Sequence, residues 1–437
     1  MVSLPYSNKK HYLTGIDWIL HSFDFMTKRA TGAGNTFQIV MRLEGQPAES
    51  EVRDWLDVCI GKCPLLGGRT RRDFNLAPYW QLPSQGWRAG FEVHHLHAEE
   101  EIDSLLEKEI NTPFGSEREH LAFRLIHAGE NSHAAVKFDH RLFDAHGAEM
   151  FLSMLQRDWE EGGTTNWEMP PCEPAHLSEW QGKFEAGRQV NRTLLRLTEN
   201  AAPRALPLDP GAAAEGFGFA EISFGEQQSQ EIIERAEREA GYLMAMPYTL
   251  ALATQAFHQV FVDRGIDTGD YIVPVTMDTR LPGGHRQQVF FNHVSLLLFR
   301  ISARGVNDFA ALLESIKEQM YHQAREGLVR HILDASHLMR IVPLPVVSHL
   351  LKLYLKNSLA SFAFSFLGDG GQMPTRFMGK RISRSYHMAR VPIPPGLGLF
   401  FHHSRGRLSA HLSYARGLLA EAEVDTVLGG LKSRLGR

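Results

Sequence analysis

Cysteine is scarce, three in 437 residues, so no disulfide framework holds this chain together. Long apolar runs are missing as well, and none reaches the roughly 18 residues that a bilayer-crossing helix needs. The N-terminus shows no charged-then-apolar leader pattern, and the expected compartment is the cytoplasm. Positive charge is not in excess: the formal net charge is −4, which argues against a nucleic-acid binder. No internal repeat is visible. Negative charge is absent from one long segment. Between Gly370 and Ala420 there is no Asp or Glu, while Arg376, Lys380, Arg381, Arg384, Arg390, Arg405, Arg407 and Arg416 supply eight positive charges. Such a stretch in an acidic protein suits an anion, or is a solvated face whose charges pair with acids elsewhere.

What is present reads as a folded, water-exposed chain. Apolar residues make up 43% and charged residues 22%, the balance of a globular protein. The length allows two or three domains. Strand-like and helix-like patterns alternate in both halves. In the first half a helix is expected over 9–30, a strand over 37–43, a helix over 50–62, an acidic helix over 100–110 and a strand over 121–127. Cys59 and Cys63 fall on the apolar stripe of the 50–62 helix, where core packing is the expected use. The run Val93-His94-His95-Leu96-His97 is expected to be a solvated strand end rather than a metal site. An Ala/Pro/Gly-rich stretch over 201–216 divides the chain into a first lobe, 1–200, and a second, 217–437. The second lobe is expected to hold strands over 217–224, 271–276 and 360–366. Helices are expected over 227–240, 248–262, 307–326, 329–340 and 345–357. A hairpin around Ser404–Arg407 and a last helix over 419–434 close the chain. The helix with Leu350-Leu351-Lys352-Leu353-Tyr354-Leu355-Lys356 is expected to pack on the core with snorkelling lysines; lying on a membrane is the weaker alternative.

One stretch organises the rest. Ala134-Ala135-Val136-Lys137-Phe138 is strand-like, and Met150, Phe151, Met154, Leu155 and Trp159 repeat with helical period. Between them lies His140-Arg141-Leu142-Phe143-Asp144-Ala145-His146-Gly147. A strand end followed by a tight turn holds a side chain rigidly at a crevice. Imidazole is suited to proton transfer near neutral pH, which makes His140 the candidate general base.

His140-Arg141-Leu142-Phe143-Asp144-Ala145 also resembles the His-x-x-x-Asp-Gly core of a known superfamily. Its members include chloramphenicol acetyltransferase, plant acyl-CoA-dependent acyltransferases, wax-ester/diacylglycerol acyltransferases and peptide-synthetase condensation domains. Asp139 stands where a preceding, non-catalytic His is common. Ala145 stands where the family has Gly, a residue that serves positive φ or close backbone approach. Further along, Val273-Pro274-Val275 with Arg280, then Asn292-His293-Val294-Ser295, are similar to the family's strand, Arg and loop-Asn segment. Ser365-Phe366-Leu367-Gly368 is similar to its Ser-Asn-Leu-Gly stretch, with Phe366 in place of Asn. The Asp-Phe-Gly-Trp-Gly motif of the plant branch is absent.

The resemblance implies an α/β, two-lobed chloramphenicol acetyltransferase-like fold, each lobe a mixed β-sheet flanked by helices, with an active-site tunnel between them. His140 would take the proton of a small-molecule hydroxyl or amine acceptor as it attacks an acyl thioester. Neither metal nor cofactor is implied beyond the thioester co-substrate, an acyl-CoA or the phosphopantetheine of an acyl-carrier protein. Asp139 is given no proton-transfer role. Asp144 would be structural, paired with Arg280 and supported by Gly147, with Asn292 and Ser365 near the tunnel. Arg381 and Arg384, three apart and on one face if helical, would bind the donor. Two alternatives stand beside this. One is a non-catalytic binding or scaffold protein on the same fold; the other is a metal-dependent hydrolase using His140, Asp144 and His146. His402-His403 are expected to serve packing, since a strand turns only one of them inward.

Overall fold

Eight of the nine residues of Asn131–Asp139 are buried, as expected of a strand covered on both faces. In the computed structural model, which describes residues 10–83, 87–163, 173–197, 199, 203–266, 269–280, 288–354, 360–368 and 373–436, this run is β7. Its sheet also holds β2 (Thr36–Leu43), β5 (Gly90–Leu96), β6 (Leu121–Ala128), β12 (Arg376–Phe377) and β13 (Lys380–Ala389). The spatial order is β12-β13-β2-β7-β6-β5, with β5 parallel to β6 and the other pairs antiparallel.

A second six-stranded sheet comes from the later half: β8 (Phe217–Ser223), β9 (Tyr271–Asp278), β10 (Val294–Ile301), β11 (Ala363–Leu367), β14 (Leu397–Ser404) and β15 (Arg407–Ala415). Its order is β10-β9-β11-β14-β15-β8, and β11 runs parallel to both neighbours. A small antiparallel sheet joins β1 (Lys10–Tyr12), β4 (Pro78–Gln81) and β3 (Arg69–Arg72).

Helices cover these sheets. In the first half they are α1 (Gly15–Thr31), α2 (Glu49–Gly61), α3 (Glu100–Asn111), α4 (Ala145–Glu160) and α5 (Trp180–Leu197). Short α6 (Pro210–Ala213) precedes β8, and α7 (Glu226–Ala240), α8 (Ala245–Asp263), α9 (Phe309–Arg325), α10 (Leu328–Met339), α11 (Leu344–Tyr354) and α12 (Glu421–Leu435) follow. One face of the first sheet packs Ile39, Met41, Val136 and Phe138 against Trp18 of α1, Leu56 of α2 and Phe151 of α4. The other face packs Val40, Ala135 and Met388 against Ile102 and Leu106 of α3. The second sheet packs Val273, Leu399 and Leu412 against α8, which is apolar nearly all round because it is enclosed. Among the described residues no helix is long and apolar enough to cross a membrane. In α11, Val347 is buried in the first-half core while Leu353 is 63% exposed. Lys352, Tyr354, Leu355 and Lys356 lie outside what is described of that helix.

The two-lobed α/β architecture is therefore present, with three differences from the sequence expectations. Residues 10–12 form β1, and the helix expected from residue 9 begins at Gly15. The reason is local: Thr14 and Asp17 make a reciprocal capping box that fixes the start. Residues 380–389, which would put Arg381 and Arg384 on one face only if helical, form β13, whose alternation is blurred by an irregularity between Ile382 and Arg384. Finally, β12 and β13 cross from the second half of the chain into the sheet of the first, so 217–437 is not a closed unit. The segment 281–287 and part of the 201–216 crossover lie outside the described residues.

Beneath the end of β7 the phenylalanines gather. Phe138 lies 5.3 Å from Phe37 and 5.1 Å from Phe143, and Phe143 lies 5.2 Å from both Phe151 and Phe290. Phe143 is fully buried at the centre of this group. Truncating it to Ala should cost about 3–5 kcal/mol, read as a shift in denaturant midpoint at unchanged m-value.

Candidate active site

The turn after β7 is built from the helix that follows it. Asp144 is extended (φ −91°, ψ 175°) and caps α4, accepting the Gly147 N–H at 2.8 Å on Oδ1. Ala145 is the first helical residue, so its place requires no positive φ. Close approach falls two residues later. A Cβ on Gly147 would lie 2.3 Å from the Val289 carbonyl oxygen, which only a residue without Cβ avoids. The glycine that this turn needs is thus Gly147.

Segment 288–293 of the later half lies along the turn and grips it at successive positions. Arg280, just beyond β9, donates from Nη2 to Asp144 Oδ1 at 2.6 Å, and both side chains are nearly inaccessible. The same guanidinium donates to Gln288 O from Nε at 3.2 Å and Nη2 at 3.1 Å, and pairs with Asp278 at 3.1 Å. Phe291 N–H donates to Leu142 O at 2.7 Å, and His293 N–H to Asp144 Oδ2 at 2.8 Å. Phe291 itself sits at φ +69°, a strained conformation for a bulky residue, held by these contacts on either side.

Asn292 works beneath the turn. Its Nδ2 donates to His140 O at 3.1 Å and to Asp17 Oδ1 at 3.3 Å, and its N–H donates to Asp17 Oδ1 at 3.0 Å. Asp17 is the capping-box acid of α1, so one carboxylate starts that helix and anchors the residue under His140. Burial raises the Asp17 carboxyl above its ordinary range, against the hydrogen bonds it receives. The Asn292 Nδ2 is thus engaged with both the His140 carbonyl and the Asp17 carboxylate.

His140 is half-buried. Its N–H donates to Asn35 O at 3.2 Å, and its ring meets the Phe37 ring edge-on with centroids 5.1 Å apart. Nδ1 is buried without a hydrogen-bond partner, which leaves Nε2 as the nitrogen a substrate could reach. Its neighbour Asp139 is 1% exposed and sits in a charged network of its own. His120 Nδ1 lies 2.8 Å from Asp139 Oδ2, and Arg141 reaches the same oxygen from Nη2 at 2.6 Å. Burial alone would raise the Asp139 carboxyl, but Arg141 and His120 hold it well below the ordinary carboxylate range. His120 and Arg141 were missed from sequence, because 19 residues separate His120 from its acid and no spacing announces the pair.

His146 does not join His140 and Asp144 at a common point. Its Nδ1 is 2.7 Å from Asp278 Oδ2, and Asp144 is taken up by Arg280 and two backbone N–H groups. The set His140/Asp144/His146 is not among the groups of described residues whose donor atoms converge on one point. Burial would lower the basicity of His146, yet Asp278 and Glu149 raise it overall.

Ser365 lies on β11, its hydroxyl accepting from Thr276 Oγ1 at 2.9 Å, on the face opposite the buried Phe364. Phe366 points to the packed side, 6.5 Å from the Phe401 ring. Arg381 and Arg384 lie on a strand, not on one helical face, and each meets an acid: Arg381 is 3.7 Å from Glu44, and Arg384 pairs with Glu221. Arg407 and Arg416 pair with Glu226 and Glu107, while Arg376, Arg390 and Arg405 donate to backbone carbonyls. Four of the segment's eight cations thus meet acids from elsewhere in the chain, Arg381 remaining 73% exposed beside Glu44. Arg384 also lines a cavity of about 760 Å³ between α3, β8, β13 and β15, together with Asp103, Glu107, Glu221, Tyr386 and His411; His140 is not part of its wall. Elsewhere, Cys59 and Cys63 are buried in the core, where burial pushes the Cys63 thiol up to about 12. His95 lies on β5, 3.1 Å from Glu49; Cys172 is outside the described residues.

No protein-family model matches the sequence, and no curated protein does. Solved structures match over nearly the whole chain at low identity. The first condensation domain of the calcium-dependent antibiotic synthetase, in complex with a substrate analogue, aligns at 13% identity and TM-score 0.70, covering 98% of this chain and 96% of that one. The trichothecene 15-O-acetyltransferase of Fusarium sporotrichioides aligns at 12% identity and TM-score 0.69, covering 98% and 95%. The starter condensation domain of rhizomide synthetase, in complex with C8-CoA and Leu-SNAC, aligns at 12% identity and TM-score 0.64, covering 98% and 93%. The fold is thus that of condensation domains and chloramphenicol acetyltransferase-like enzymes.

Two outcomes follow from this geometry. Asp144→Ala removes the nearer of the two carboxylates on the buried Arg280 guanidinium and the acceptor of the Gly147 and His293 N–H groups, and should destabilise the protein by about 3–5 kcal/mol. Asp144→Asn, which keeps an acceptor for the Gly147 N–H, should recover part of the loss in a thermal melt; equal midpoints for Ala, Asn and the unaltered protein would contradict the clamp. Because the folded-state pKa of Asp139 is depressed, its contribution is present above the ordinary carboxylate range and is lost as pH falls from about 4 toward the folded value. Melting midpoints taken between about pH 5 and pH 3 should therefore fall less steeply for Asp139→Asn than for the unaltered protein.

Proposed function

We propose that the protein is an acyltransferase that moves an acyl group from a thioester to a hydroxyl or amine acceptor, with His140 as general base. The observation that carries this reading is the setting of His140. It sits at a strand end, on a turn clamped from both halves of the chain, with Nδ1 enclosed and Nε2 left to act. Nε2 takes the acceptor proton as the acceptor oxygen or nitrogen attacks the thioester carbonyl. A tetrahedral intermediate forms, the C–S bond breaks, and the imidazolium returns the proton to the departing thiolate. General-base assistance of this kind is worth roughly 10²–10⁴-fold, and holding two substrates against one base supplies much of the rest.

Further support comes from proteins of the same fold: one is named as an O-acetyltransferase, and another was solved with a coenzyme A thioester. Two of the three departures from the family motif leave the geometry of the turn and of Ser365 undisturbed. Ala145 starts α4 at a position that needs no positive φ, and Phe366 packs on the core side of β11 away from Ser365. Coenzyme A and an acyl-carrier protein remain the two donor classes of this reading.

Incubating the protein with a panel of acyl thioesters, with and without alcohols and amines, tests it directly. Acceptor-dependent thiol release is the expected result; none across a broad panel would favour a binding or scaffold protein. His140→Ala should lower turnover at least about 10²-fold with an unchanged circular dichroism spectrum. Near-normal turnover in that variant would make His140 a bystander.

A further inference from the structure

Two histidines and a glutamate meet in the interior between the two sheets. Glu149 lies on α4, His387 on β13 and His402 on β14, and they are 3%, 9% and 5% exposed. His387 Nε2 is 3.0 Å from Glu149 Oε1, and His402 Nε2 is 3.2 Å from the same oxygen. The imidazole rings are 4.7 Å apart, and the three donor atoms all lie within 4.8 Å of one another. We propose that Glu149, His387 and His402 form a binding site for a divalent transition-metal ion of the zinc type, joining the two sheets.

Donor chemistry, spacing and charge each bear on this. Two imidazoles with one carboxylate suit zinc and its first-row neighbours. Bonds of about 2.0–2.1 Å in a tetrahedral shell set neighbouring donors about 3.3–3.4 Å apart, so separations of 3.0 and 3.2 Å need to open by only a few tenths of an ångström. Glu149 is a buried carboxylate whose ion-pair partners among the described residues are these two histidines alone. A buried charge is stable only when compensated, and a cation supplies the compensation while both rings stay neutral with their protons on Nδ1. One turn earlier on the same face of α4, His146 has Nδ1 held by Asp278 and Nε2 buried without a partner. A carboxylate on one ring nitrogen is how ligand imidazoles are commonly oriented, but His146 is not one of the three residues whose donor atoms converge. The other triad of this kind, Glu92, His94 and Glu109, differs: Arg124 already pairs with both of its acids, at 3.3 and 2.6 Å.

The three ligands span both lobes, since α4 and β13 belong to the first sheet's side and β14 to the second. The ion would act as a staple rather than as part of acyl transfer.

Chelator-stripped protein titrated with zinc chloride alone in a calorimeter provides the test. One equivalent should bind, with a rise in melting midpoint that excess chelator reverses. Glu149→Gln keeps an acceptor for both imidazoles, and should weaken zinc binding by more than the roughly 10–100-fold that losing an outer-shell partner costs. His402→Asn should do the same. No stoichiometric uptake, or unchanged affinity in both variants, would overturn the assignment, the latter by placing the ion on other histidines. If either variant fails to fold, zinc-edge X-ray absorption of the loaded, unaltered protein decides: imidazole nitrogen with carboxylate oxygen is expected, and a shell without imidazole refutes the site.

Discussion

A single carboxylate sets the geometry on which the rest of this structure depends. Asp144 caps α4, neutralises a buried guanidinium from the other half of the chain, and receives the His293 N–H of the segment that grips the turn. Each of these could be met by a different residue. Meeting them with one side chain ties helix start, lobe contact and turn conformation into one arrangement that cannot relax piecemeal. Buried ion pairs are weak sources of net stability, because desolvation offsets attraction. Their use here is to make one conformation of the His140 turn better than its neighbours.

Much of this was legible in the sequence because it is carried by local chemistry. The strand-to-turn-to-helix reading around His140 rests on apolar periodicity. Both halves show the alternating elements of a two-lobed α/β fold for the same reason. What escaped is what depends on distant partners. Residues 380–389 carry Lys380, Arg381 and Arg384 among few apolar residues, so neither strand nor helix period stands out; pairing with β2 decides the matter. Asp17 reads as a helix cap, and nothing around Thr14 hints that its second oxygen holds Asn292. A basic segment without acids reads equally as an anion site or as a face paired with distant acids, and four of its cations meet Glu44, Glu107, Glu221 and Glu226 from elsewhere in the chain. One-dimensional charge patterning cannot show such closure.

The seam between the sheets is unusually polar for a protein interior. His146, Glu149, Asp278, His387 and His402 all lie along it, linked through His146 to Asp278 and through both other histidines to Glu149. Glu149, His387 and His402 are buried and satisfy one another, since an orphaned buried charge is costly, whereas Asp278 stands at the solvent-exposed end of the row. The contact between lobes thus includes directional hydrogen bonds from Glu149 on α4 to His387 on β13 and His402 on β14.

The passage of β13 into the first sheet also governs how the chain can be cut. Spatially β13 lies between β12 and β2, so a polypeptide ending at the crossover lacks the strand that covers β2. Its N–H and C=O groups from Thr36 to Leu43 would form an open, largely apolar edge, the kind of surface that recruits other strands and aggregates. During synthesis the first lobe meets this state on every molecule, because the covering strand is made about 340 residues after β2. Completion of that lobe must wait for nearly the whole chain, and gene fragments split between the lobes are poor choices for expression.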